Sequence, residues 1–404
     1  MNIYIKNRGS FFEKILFICS IFALVFLYSN FAVIIGVSNK RTVAFFPILL
    51  YLFYQILIGR FKLNRISQLL KILLVWSISS SVVLPFITGT DAINYLTFSV
   101  FPFLIYAYFE RIRLWEKKII RLIILGLLFV EMFMSFYERM TYSILISIVD
   151  SEFSYEGFNA AGDTWAFRAQ ALFGHSLTNA MIVSSIGLFL LADKTIKDKV
   201  KYVIYILILL SLFCFNTRGN ILVFAIMGMP FLYSAYKTSS KSTKYLSLIM
   251  LFFGGYLLLH IEDLGLGGRL FNQDLGAKDS SSMARFDAIE IFQYLDNELF
   301  LWGSSSNVYN NLMSLHTGSL FVENGLIVIL LHWGIIFGCP LLLLMFVYQI
   351  KTLYIYYRRW EMYIIIFAFY IIGMSNPQLA NPVQWIVFFL SFYAFRKEKH
   401  SNLI

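Results

Sequence analysis

The chain has 404 residues, 59% of them hydrophobic and only 14% charged, with a mean hydropathy of +0.72. Soluble domains carry roughly a quarter charged residues, which excludes an ordinary water-soluble protein. The formal net charge of +10 invites a nucleic-acid reading, which the distribution of that charge along the chain rejects.

Apolar runs near the ~20 residues needed to cross ~30 Å of hydrocarbon recur along the whole length. They predict helices near 13–36, 42–59, 67–88, 93–109, 119–137, 178–193, 202–216, 219–236, 245–261, 323–350, 361–375 and 383–395. The expected fold is therefore all-α, a polytopic integral membrane protein of about twelve transmembrane helices in one domain spanning residues 1–404. The first run follows a basic head, residues 1–14, with no small-residue cleavage site after it, and reads as an uncleaved anchor. With that head inside, 25 of the 33 lysines and arginines fall in cytoplasmic segments and eight outside. The acids run the other way, seven inside and 16 outside or in the fifth helix. That asymmetry sets the orientation and reports contact with anionic lipid heads, not with nucleic acid. Cys19, Cys214 and Cys339 all lie in apolar runs without metal-ligand spacing and read as packing residues.

Two connections are long, 138–177 and 262–322, both on the outer side, and long loops between membrane helices usually serve function. The first begins with 141–149, an apolar stretch suited to an interfacial helix, and then turns polar. The second begins with a glycine-rich stretch, Leu264-Gly-Leu-Gly-Gly-Arg-Leu270. It has no following Lys-Ser/Thr and no preceding strand, so it reads as a hinge and not a phosphate loop. Met283, Phe286, Ile289, Phe292, Leu295 and Leu299 then recur at helical spacing and predict one amphipathic helix on the outer face. Ser280-Ser-Ser282 is its expected N-cap, which places Arg285 in the first turn. A cation there adds to the positive end of the helix dipole and implies an anion nearby, or an arginine reaching to lipid phosphate.

Four outer segments carry a resemblance. Phe167-Arg-Ala-Gln-Ala-Leu-Phe-Gly-His-Ser-Leu-Thr-Asn-Ala180 resembles the Arg, Gly-Phe, His-Pro, Asn stretch of O-antigen polymerases and ligases, with Ser176 in place of the proline. Asn216-Thr-Arg-Gly-Asn220, at the tip of a tight helical hairpin, resembles their Ser-Arg-Gly turn. Arg285 with Leu301-Trp-Gly303 resembles their Arg, helix, Gly-x-Gly segment, with Ser305 where the second glycine is common. His316-Thr-Gly-Ser-Leu-Phe-Val-Glu-Asn-Gly325 resembles their His-Asn entry into the tenth helix, though His316 lies nearer Gly325 and lacks the following Asn.

The resemblance covers most of 160–340. It implies a GT-C-type glycosyltransferase bundle whose two long periplasmic loops contain short helices. It further implies a bacterial inner-membrane enzyme whose donor is a glycan on undecaprenyl diphosphate. A Wzy-type polymerase moves the growing chain onto the next lipid-linked repeat unit; a ligase moves it onto a lipid A core sugar. Partners implied are that lipid-linked oligosaccharide, membrane lipids and a chain-length-determining protein. A lipid-linked oligosaccharide flippase is the alternative of another class, although it is expected to show paired repeats and short loops.

The leaving group of such a transfer is a lipid diphosphate, which accumulates negative charge. The sequence presents no carboxylate or histidine cluster with metal-ligand spacing, so no cofactor is expected. Arginine suits the task, being permanently charged and bidentate toward phosphate. Arg168, Arg218 and Arg285 lie in the family-like segments and are the candidate diphosphate binders. Arg168 alternatively pairs with Glu156 or Asp163, and Arg218 alternatively caps its hairpin. His316 suits a general base, Glu323 suits its orienter or the base itself, and His175 suits glycan or phosphate positioning. Tyr155, Phe158, Asn159, Trp165, Trp302, Asn307, Tyr309 and Asn310 suit sugar rings or interfacial anchoring alike.

Overall fold

In the computed structural model, described over residues 9–37, 40–62, 64, 66–146, 167–260, 280–318, 322–374 and 377–396, the protein is all-helical, with no strand among these residues. The helices are α1 (Phe11–Phe22), extended by a π-helical turn (Ala23–Leu27), then α2 (Lys40–Leu57), α3 (Gln68–Thr88), α4 (Ala92–Phe109) and α5 (Leu114–Thr141). They continue with α6 (Ser176–Ala192), α7 (Asp198–Cys214), α8 (Arg218–Thr238) and α9 (Lys241–Leu259). In the second loop come α10 (Ser280–Glu290), α11 (Asn297–Trp302) and α12 (Ser306–Thr317), followed by α13 (Gly325–Tyr354), α14 (Arg359–Met374) and α15 (Pro382–Phe395).

Each of the twelve expected apolar segments coincides with helix. Six helices, α2, α3, α4, α5, α8 and α13, are long and apolar enough to cross a membrane. Their outward faces carry large apolar side chains, such as Val75, Phe86, Leu122 and Phe129, all more than half exposed. This is the surface expected where the surroundings are hydrocarbon.

The centre is built by two helices shielded on all sides. Every residue of α15 is buried, and every residue of α6 except Leu177. They pack on each other, with α4, α5, α7, α8 and α14 around them. A helix apolar all round belongs inside other helices, and Gly187 lets α6 approach closely: a Cβ there would lie 2.6 Å from Ile208 Cδ1.

Two expected continuous helices are interrupted. The 13–36 run breaks at 28–30, where buried Ser29 and Asn30 leave the helix and the Asn30 N–H donates to Leu172 O at 3.0 Å. Helix α13 breaks at Gly334 (φ 63°, ψ 168°). The piece beyond it, 335–354, reaches about 30 Å at 1.5 Å per residue, one hydrocarbon thickness. The loop backbone fills the break. Ser304 N donates to Leu331 O (2.8 Å), Tyr95 OH donates to His332 O (3.3 Å), and Gly303 (φ 83°) lies directly on Gly334.

At the end opposite the long loops, a buried ion cluster ties α1, α2, α4 and α5 together. Glu13 accepts from Arg60 (2.7 Å) and Arg113 (2.6 Å), and Glu116 accepts from Arg113, Tyr51 and Tyr108. One nitrogen, Arg113 Nη2, serves both carboxylates. A lysine keeps the charge but not the planar fork, so Arg113→Lys is expected to cost about 1–2 kcal/mol, read as a lower thermal midpoint in detergent.

Of the cysteines, only Cys214 is buried; Cys19 and Cys339 are exposed on helix faces, which corrects the packing expectation for those two. The apolar periodicity of their runs does not say which side of a helix meets its neighbours.

Candidate functional site

The loop end of the bundle is organised by residues 167–174, an irregular segment that enters the helices instead of passing over them. Phe167, Ala169, Ala171 and Leu172 are buried. Irregular backbone inside a bundle must find partners for its polar groups, and here each neighbouring helix supplies some. Both carboxylate oxygens of Glu138 on α5 are used: Oε2 accepts from Gln170 N (2.7 Å) and Ala171 N (2.9 Å), and Oε1 from Leu145 N (3.0 Å). Arg139 Nη1 donates to Phe167 O at 3.0 Å. On α6, Asn179 accepts from Phe173 N (3.1 Å) and donates to Gln170 O. Ala169 N donates to Cys214 O (3.1 Å) at the end of α7, and Asn216 Nδ2 reaches Phe167 O at 3.5 Å. Gly174 (φ 67°) closes the segment where a Cβ would overlap the Asn30 side chain.

These bonds tie the backbone segments that carry two of the candidate arginines to each other. Arg168, half-buried, lies between Phe167 and Ala169, the residues tied to the α7–α8 turn. Arg218, also half-buried, is the first residue of α8, directly after that turn, in which Asn216 takes the left-handed conformation (φ 53°). His175 follows Gly174 as the N-cap residue of α6, and burial pushes its imidazole down to about 4. It is neutral at physiological pH, so its contribution is hydrogen bonding and not positive charge. Glu156 and Asp163, the alternative partners of Arg168, lie outside the described residues, as do Tyr155, Phe158, Asn159, Trp165 and the stretch 264–270.

The other candidates belong to a second group. Ala288, Ile291, Tyr309, Met313, Val322, Ile327 and Leu331 form a small separate core joining α10, α12 and the start of α13. Arg285 is half-buried on α10. His316 is exposed near the end of α12, its ring stacked on Tyr294 with centroids 4.1 Å apart. Glu323 is half-buried two residues before α13.

Three local expectations fail here. Helix α10 begins at Ser280, so the serines lie inside it and Arg285 falls in the second turn, not the first. The single amphipathic helix is three pieces: α10, a 3-10 turn (Ile291–Gln293) and α11, whose N-cap Asp296 accepts from Leu299 N at 2.7 Å. Its buried face uses Ala288 and Ile291, while Phe286 and Ile289 point outward. The expected interfacial helix at 141–149 is not helical over 143–146. Tyr142 (φ 51°) ends α5 in the left-handed conformation, and Glu138 holds Leu145 N in a bend.

Sequence reasoning also missed a cavity of about 270 Å3 at the loop end, between α2, α4, α12, α13 and the 377–382 segment. Its lining includes Arg41, Asn94, Tyr309, His332, Trp333 and Asn381. Arg41 Nη1 donates to Asn94 Oδ1 at 2.9 Å, and the His332 ring stacks on Tyr95. One wall is a single segment thick. Pro377 and Ala380 face the cavity, while Gln378 between them accepts from Thr178 Oγ1 (2.7 Å) on α6, three residues beyond His175. The available signal was Lys40-Arg41, two of the eight cations expected on the outer side, placed at a helix start and not in a long loop.

No protein-family model matches the chain, and no curated protein matches its sequence.

Proposed function

We propose that the protein is a glycosyltransferase that polymerises a surface glycan, O-antigen or related, at the periplasmic face of a bacterial inner membrane. The donor is a growing glycan on undecaprenyl diphosphate, and the acceptor is the next lipid-linked repeat unit. The twelve helical segments all span the membrane in this reading, as a GT-C-type bundle with both long loops on the outer side. The observation that carries it is the 167–174 segment, which is held within the bundle and bonded to the turn that presents Arg218. The backbone that carries Arg168 is thus tied to the turn before Arg218, and in this reading both guanidinium groups meet a lipid-borne diphosphate that arrives from the side.

In the transfer, an acceptor hydroxyl attacks the anomeric carbon of the donor. The new carbon–oxygen bond forms as the bond to the diphosphate breaks, and the lipid diphosphate leaves with the electron pair. Arg218 and Arg168 hold its phosphate oxygens, with Arg285 closing from the second loop. Preorganised cations in a partly dry site supply several kcal/mol to such a step. The hydroxyl proton passes to His316 or Glu323 as base. His175, neutral, orients sugar hydroxyls or phosphate oxygens. A chain-length-determining protein is the partner this activity calls for.

The test is the glycan profile of cells carrying single variants. Arg218→Ala and Arg285→Ala are each expected to abolish long chains and leave single repeat units on the lipid A core, with the protein still in the membrane. Normal chain-length distributions in both variants reject the proposal. Long chains accumulating on the carrier instead identify a ligase, and repeat units retained on the cytoplasmic side identify a flippase.

A further inference from the structure

The cavity between α2, α4, α12, α13 and the 377–382 segment holds none of the arginines assigned to the donor diphosphate, and its lining has a chemistry of its own. Trp333, Tyr309 and Phe98 supply aromatic side chains, and Asn94, Thr97, Ser306 and Asn381 supply short polar groups. Aromatic side chains beside amides and hydroxyls match a pyranose, which is apolar on its ring faces and polar at its edge. The volume of about 270 Å3 is near the lower limit of roughly 300 Å3 for small-molecule sites, enough for a sugar unit and too little for an oligosaccharide.

Charge narrows the ligand further. Arg41 lines the cavity, and among the described residues no aspartate or glutamate does. The Arg41 hydrogen bond to Asn94 goes to a neutral amide, so it orients the guanidinium without neutralising it. One backbone feature adds the same sign: α15 begins in the wall at Pro382. Helix N-termini carry partial positive charge. The break in α13 brings the C-terminal end of its first piece beside the N-terminal end of its second, and these opposite ends offset each other. A cation and one such end around a cavity with no carboxylate among its described lining residues select an anion.

We propose that this cavity binds an anionic saccharide, a pyranose carrying a carboxylate or a phosphate, with Arg41 as its charge partner. Resting on the glycosyltransferase reading, the occupant is a sugar unit of the acceptor. It is held one segment away from the start of α6, where His175 is the N-cap, because Gln378 joins the cavity wall to Thr178.

Ligand-observed NMR on the full chain in nanodiscs tests this without any requirement for turnover. The probes are glucuronate, glucose 1-phosphate, glucose and glycerol 3-phosphate, the last standing for a phospholipid headgroup. Glucuronate or glucose 1-phosphate is expected to bind at least about tenfold more tightly than glucose and glycerol 3-phosphate. Arg41→Gln and Asn94→Leu are expected to abolish that preference, and Arg218→Ala to preserve it. Equal binding of glucose, equal binding of glycerol 3-phosphate, no binding by the wild type, or an unchanged preference in Arg41→Gln each overturns the proposal. Failure of the polymerase reading appears elsewhere, as normal glycan chains in both Arg218→Ala and Arg285→Ala, so the two results are separable.

Discussion

Gly334→Ala is expected to destabilise the protein by at least about 3 kcal/mol and to detach the second loop from α13. Two costs combine. The backbone at φ 63°, ψ 168° is a conformation that side-chain-bearing residues avoid. A Cβ there would also lie 2.3 Å from Leu301 O and 2.4 Å from the Trp302 carbonyl carbon, both backbone atoms that no rotamer change can move. Relief requires α11 to back away, which breaks the Ser304 N bond to Leu331 O and leaves a buried carbonyl unpaired. Gly318 is the control. Its φ of 73° is similar but nothing lies within 4 Å of the added atom, so Gly318→Ala is expected to cost only the conformational part, about 1 kcal/mol. Thermal unfolding in detergent measures both. Equal losses at the two positions rule out close approach as the cause.

The second large effect lies at the other docked segment. Glu138 is the only residue among those described that gives both carboxylate oxygens to backbone N–H groups of the first loop. Removing it leaves three amides without their acceptor, two of them within the bundle, and at about 1–3 kcal/mol for each buried donor left unpaired costs about 3–5 kcal/mol. Glu138→Ala is therefore expected to raise amide exchange of residues 169–173 by about 100-fold or more, a tenfold change being about 1.4 kcal/mol. Long glycan should disappear with it, because Arg168 and His175 are placed by that segment. Glu138→Gln keeps one accepting oxygen and should give an intermediate exchange rate. Unchanged exchange in Glu138→Ala would show that the helices, and not this carboxylate, hold the segment.

The helices were legible because hydrocarbon length and apolar composition act locally, residue by residue, on any stretch of chain. Their interruptions were not. Asn30 and Gly334 stand in apolar runs, and only the loop backbone that arrives beside each, at Leu172 and at Gly303, makes a break favourable. The same holds for α10 and α11, where period alone joined residues that Asp296 separates by capping. Arg168 and Arg218 were found through local motifs, and their common anchorage through Phe167, Cys214 and Asn216 is a tertiary fact. Arg41 and His332 carried no motif. They became visible only when five elements closed around one cavity.

The burial of α15 bears on biogenesis. It follows every other α-helix among the described residues and yet fills the middle of the bundle. Until the translocon has released it, α4, α5, α6 and α14 face one another across a gap that only lipid or a holding factor can occupy. The earlier helices can be inserted one by one but cannot settle before α15 joins them. A nascent chain stalled before Pro382 would thus be a membrane-inserted, hollow intermediate, open to the proteases that survey the bilayer.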